Sequence, residues 1–166
     1  MKLFKFTSKD KNGNRECRLA YIDGIPNLFK LPGEMCDVTI NQETRKLTVK
    51  SVFAKDREAS LDLDKIIDAR IMTEKEISES NKSVVGRAVV GSLLLGPLGG
   101  IVGGMSGIGS KKKETNKTFM IITYISSDEE KKLVFEVVGS SIGWGKLLKE
   151  LPRKYNEIST DGPIEL

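Results

Sequence analysis

Residues 83–110 read SVVGRAVVGSLLLGPLGGIVGGMSGIGS, and after Arg87 no ionisable side chain follows until Lys111. Glycine recurs every fourth residue in two interleaved registers, Gly96/Gly100/Gly104 and Gly99/Gly103/Gly107. Small residues at this spacing let helix backbones approach closely, in lipid or in a packed oligomer. So apolar a stretch must lie against a partner surface, and the rest of the chain has to be fitted around it. As one straight helix, 88–110 would extend ~34 Å, enough to cross a bilayer. The Gly96-Pro97-Leu98-Gly99-Gly100 break instead divides it into two arms, 84–95 and 98–108. Each arm would reach only ~16 Å if helical, which lets a hairpin dip into one leaflet without spanning it.

Composition narrows the chemistry. The 166 residues suit one domain with an appendage. Against 27 Lys+Arg stand 23 Asp+Glu, a net charge of +4, too mild to indicate a nucleic-acid partner without a concentrated basic patch. There is no histidine, which removes the commonest general base and metal ligand together. No nucleophile and base pair is visible, so no catalytic residue, metal ligand set or cofactor is expected. Cys17 and Cys36 form no CxxC pair and read as reduced thiols on strands. Asp62, Asp64 and Asp68 resemble a ligand set only on paper, because alternation along a strand puts Asp62 and Asp64 on the solvent side. The run from Gly104 to Lys111 fails as a phosphate loop, since Ser110 precedes the lysine and Lys112 stands where a hydroxyl residue is needed. The N-terminus lacks an apolar run of signal-peptide length, so a cytoplasmic location is expected.

Around the insertion the chain reads as strands. Residues 2–8 alternate Phe4 and Phe6 against Lys5 and Thr7, and after Asn12-Gly13 the segment 15–22 returns as a hairpin partner, giving an N-terminal arm over 1–22. Seven strands follow: 25–30, 35–40 with Cys36, Val38 and Ile40 inward, 46–53 with Leu47, Val49 and Ser51 inward, 59–63, 66–72, 117–126 and 132–138. Glu129 and Glu130 are placed in the turn before the last of these. Residues 74–82 form a polar, helix-favouring lead into the apolar segment. From Ser140 the period changes to that of a helix, with Ser140 or Ser141 as N-cap, Trp144 as a core anchor, and Leu147, Leu148, Leu151, Tyr155 and Ile158 on one stripe that Pro152 interrupts.

Seven strands and a closing helix, with an apolar insertion between the fifth strand and the sixth, resemble the pleckstrin-homology-like (PH-like) fold. The runs GIPNLFKLPGEMCDVTINQETRKLTV, SLDLDKIIDARI and GRAVVGSLLLGPLGGIVGGMSGIGSKKK look like those of bacterial and phage PH-like proteins that carry a glycine-rich insertion. The resemblance implies a mainly β chain with a C-terminal helix: a four-strand sheet, a three-strand sheet across it, and the helix plugging one end of an antiparallel barrel. The domain would occupy 23–73 and 115–158, with the hairpin over 74–114 and a tail over 159–166. It also implies a scaffold that binds lipids, peptides or proteins without catalysis.

The strands oppose a single membrane crossing, which would leave neither half able to close its sheet. Lys82 and Arg87 before the apolar run, and Lys111, Lys112 and Lys113 after it, suit a re-entrant hairpin with both feet on the cytoplasmic side near anionic headgroups. The expected contact residues are Leu93, Leu94, Leu95, Ile101 and Val102 for apolar contact, with Gly96, Gly99, Gly100, Gly103 and Gly104 for close packing. Arg87, Lys111, Lys112 and Lys113 would meet headgroups. The expected partner is a membrane surface or membrane protein at the inner face of the cell membrane, together with self-association. The alternative is a soluble homo-oligomer assembled through the same hairpin, binding a partner protein or small ligand, as in phage–host conflict.

Overall fold

A computed structural model describes residues 12–77 and 117–152, apart from positions 26, 30, 55 and 140. Its seven strands are β1 (Arg15–Asp23), β2 (Met35–Asn41), β3 (Lys46–Ser51), β4 (Glu58–Asp62), β5 (Ile66–Thr73), β6 (Thr118–Ser126) and β7 (Glu129–Val137), followed by helix α1 (Trp144–Lys149). They form one antiparallel sheet in the order β4-β3-β2-β1-β7-β6-β5. The four-strand half, β4 to β1, is joined to the three-strand half by β1 and β7 alone. β4 and β5 are consecutive in sequence, linked by a 3₁₀ turn over Leu63–Lys65, yet they are the two edges of the sheet. The barrel is therefore open along the β4/β5 seam. Register shifts between Tyr21 and Asp23 and between Ile66 and Asp68 mark bulges. Such bulges bend a strand and increase its twist, which brings the two halves round on each other.

Period-two burial fixes which side faces in. On β2, Cys36, Val38 and Ile40 are buried, and on β3, Leu47, Val49 and Ser51 are, as their alternation predicts. The apolar ones among them meet Met120, Ile122, Leu133 and Phe135 of the other half in one core, closed at one end by Leu147, Leu148 and Leu151. Trp144 packs against that core while only partly buried. Arg15 Nε donates to Glu150 Oε1 at 2.6 Å, and Gln42 Nε2 reaches Glu150 Oε2 at 3.1 Å, tying the α1 end to β1 and to the β2–β3 turn.

Four readings of the sequence are corrected. Arg15–Asp23 is no peripheral arm: it sits between β2 and β7 and holds the halves together. Residues 1–11, its expected partner strand among them, lie outside the described residues, as do 159–166 of the expected tail. Ile25 and its neighbours form a loop instead of a strand. Their apolar side chains do not alternate, and Asn27 has φ 63°. The loop plugs the barrel, with Phe29 stacked on Tyr21 at 4.2 Å and the Ile25 N–H donating to the Tyr21 hydroxyl at 2.8 Å. The count of seven strands thus holds with a different first member. The β6–β7 connection is a two-residue turn with Ser127 and Asp128 both at positive φ, which places Glu129 and Glu130 on β7. Ser141 does not cap α1. Its Oγ accepts from Val138 N–H at 3.0 Å, and Gly143, at φ 86°, is the N-cap residue. Tyr155 and Ile158 of the expected stripe lie outside the described residues.

Candidate functional site

The insertion leaves and rejoins the barrel between β5 and β6. Thr73 pairs with Thr118, and one step further the Glu74 N–H donates to the Lys117 carbonyl at 2.9 Å. Its two feet are therefore hydrogen-bonded neighbours. The outgoing chain turns helical at once over 74–77. Thr73 Oγ1 accepts from Glu76 N–H at 3.3 Å, while the Glu76 carboxylate accepts from Thr73 N–H at 2.6 Å and from its hydroxyl at 2.8 Å. This reciprocal arrangement is a capping box. The two bonds to Thr73, the backbone one first, hold the Glu76 carboxyl below its ordinary range.

Ile77, at the end of that turn, is buried against Ile22, Phe119, Ile121 and Val134, with Met72 beside them. These residues lie on the face of β1, β7 and β6 opposite the main core. The three-strand half is thus apolar on both faces, and β6 is buried on both. Lys117 bridges to Glu136 at 3.3 Å across the adjacent pair of strands. β7 ends opposite Thr118, and the connection that follows carries Ile142, an exposed apolar residue. Leu31 and Phe53 are also exposed, on the β1–β2 and β3–β4 loops. Those loops are fastened together where Ser51 Oγ donates to Glu34 at 2.9 Å and Val52 N–H to the Met35 carbonyl at 3.1 Å.

The expected contact residues Leu93, Leu94, Leu95, Gly96, Gly99, Gly100, Ile101, Val102, Gly103 and Gly104, and the cations Arg87, Lys111, Lys112 and Lys113, all lie outside the described residues. What the structure places is their point of attachment. Among the described residues no helix is long and apolar enough to cross a membrane. The three aspartates do not come together: Asp62 ends β4, Asp64 pairs with Arg45 in the 3₁₀ turn, and Asp68 is buried with Arg70 Nε at 2.7 Å. Both cysteines are free and buried. Desolvation, with Asp37 and Glu16 adding to it, pushes the Cys17 thiol up to about 12, and burial raises Cys36 as well.

An open antiparallel barrel of four and three strands, capped by a C-terminal helix, is the PH-like architecture. Residues 32–138 match the family model described as a glycine zipper containing PH domain, and the chain belongs to that family. The matched span takes in β2 to β7 and the whole insertion, and a PH-like domain with a glycine zipper fits a binding or scaffold role. No curated protein matches the chain.

Proposed function

We propose that this is a non-catalytic scaffold whose glycine-rich insertion seats the PH-like barrel on a membrane surface as a re-entrant hairpin. The observation that carries the reading is the hydrogen bond between Glu74 N–H and the Lys117 carbonyl. An apolar segment whose two ends are neighbours on one sheet returns to the side it left, so it dips where a single span would cross. Exposed Ile142 lies on the connection after β7, whose end pairs with Thr118 beside those feet, and Lys111, Lys112 and Lys113 supply cations for anionic headgroups. The absence of histidine and the two buried, high-pKa thiols support the reading that the protein performs no reaction. The partner is a lipid surface, with nucleic acid playing no part.

Flotation of the full chain with vesicles of mixed neutral and anionic phospholipid tests this. The protein should rise with the vesicles, less so when Lys111, Lys112 and Lys113 become glutamine, since each lysine near such a surface contributes about 1 kcal/mol. A variant lacking 78–116 should remain folded and stay below. A monodisperse oligomer in detergent-free buffer that ignores vesicles would overturn the membrane reading in favour of assembly through the hairpin.

A further inference from the structure

The open seam between β4 and β5 leads into a cavity of ≈ 270 Å³ that is lined, among the described residues, by the barrel's own strands and turns. Its deepest lining is Leu47, Val49 and Leu133, all buried, and its walls are the half-buried Ala59 and Leu61 of β4 facing Tyr124 of β6. That volume equals about nine waters of the liquid. Leu47, Val49, Ala59, Leu61 and Leu133 make one part of the lining apolar, while Ser60, Lys65, Tyr124 and Ser126 make the rest polar, a mixture that suits an amphiphilic occupant. Among the described residues of the lining, Lys65 is the one cationic side chain, and the Tyr124 hydroxyl donates to the Gly24 carbonyl at a long 3.4 Å. Lys65 itself is mostly exposed and only loosely held, with Asp62 Oδ2 at 3.7 Å. An ion pair so long and so exposed contributes little and is readily exchanged for another anion.

We propose that this cavity binds a small amphiphilic monoanion, with an apolar body of about ten non-hydrogen atoms in the seam and a single carboxylate at Lys65. The body replaces cavity water against Leu47, Val49 and Leu133. Lys65 turns from Asp62 to the ligand carboxylate, and the Tyr124 hydroxyl, which lines the same cavity and is held only by a long bond to Gly24, is a second donor for it. Asp62 works against the anion, so the charge preference is modest and Lys65 decides its sign. The described lining belongs to the barrel's strands and turns, so the inference does not rest on the membrane contact proposed for the insertion.

Titration of the full chain with octanoate and with octylammonium, followed by methyl NMR, tests the proposal. Octanoate should saturate at one per chain, shift the methyls of Leu47, Val49 and Leu133, and bind roughly threefold to fivefold more tightly than octylammonium. Lys65→Gln should abolish that preference, and Lys65→Glu should reverse it. Ala59→Phe, which fills the seam, should remove the methyl shifts for both amphiphiles. Equal affinity of the two amphiphiles for the unaltered protein would overturn the proposal, as would octanoate shifts that spare the Leu47, Val49 and Leu133 methyls. The unaltered protein gives both readings, so neither depends on a variant folding.

Discussion

Gly24 has φ 115°, and a methyl group on its Cα would approach the Lys132 carbonyl oxygen to 2.0 Å and Leu133 Cα to 2.9 Å. Both neighbours are backbone and cannot swing aside. Gly33 has φ 92° but open space around the same position. Alanine at Gly33 should therefore cost about 1 kcal/mol, from backbone strain alone, whereas alanine at Gly24 should cost about 3 kcal/mol or more. Urea midpoints of the two variants measure the difference. The thiols give a second residue-level expectation. The fold holds the Cys17 and Cys36 protons where the unfolded chain would release them. Their stabilisation is complete below the ordinary thiol range and is lost as pH rises from about 9 towards 12. Unfolding midpoints at about pH 8 and about pH 10.5 should fall less steeply in Cys17→Ala than in the unaltered protein.

Among the elements, the capping box is the one whose sequence signature, Thr73-x-x-Glu76, stands in plain view ahead of the polar helical lead. Thr73→Ala should weaken that first turn by about 1 kcal/mol, read as faster amide exchange over 74–77. A depressed Glu76 carboxyl acts in the other direction from the thiols: its contribution is present above the carboxylate range and disappears as pH falls through it. The protection of those amides relative to their intrinsic exchange rates should fall in acid, and Glu76→Gln should remove that loss of protection. Strands β2 and β3 were readable because one side of each meets the core and the other meets solvent. β6 hid its second role, since Phe119 and Ile121 on one face and Met120 and Ile122 on the other give no alternation to read. Ser127 at positive φ concealed a two-residue turn in the same way, lacking the Asn-Gly or Asp-Gly signature. Ile25, Leu28 and Phe29 have the composition of a strand because apolar side chains fill a barrel end from a loop there.

For the whole molecule, the adjacent feet at Glu74 and Lys117 make the insertion separable from the sheet. Replacing 78–116 by a short flexible linker keeps Ile77, the capping box and every strand. The shortened chain should retain its β-sheet circular dichroism and unfold cooperatively, because closing a shorter loop between neighbouring ends costs less chain entropy. Loss of the sheet signal would show that the three-strand half depends on the insertion. The split of the barrel into four and three strands followed from the PH-like resemblance, though with 25–30 in place of Arg15–Asp23, and the place of insertion was legible from the break in periodicity after Thr73. The partner of the glycine-rich run was not, because close packing of small residues serves lipid and protein surfaces alike.

The joint between the halves has a practical side. The family match begins at residue 32, downstream of β1, and ends at residue 138, upstream of α1. A fragment cut at those limits would lose the strand that β2 and β7 share, leaving two bare sheet edges with Leu19 and Leu147 gone from between them. Such edges pair with other chains. The span by which the family is recognised is thus smaller than the unit that folds, and work on an isolated domain should begin no later than Arg15 and run through Leu151.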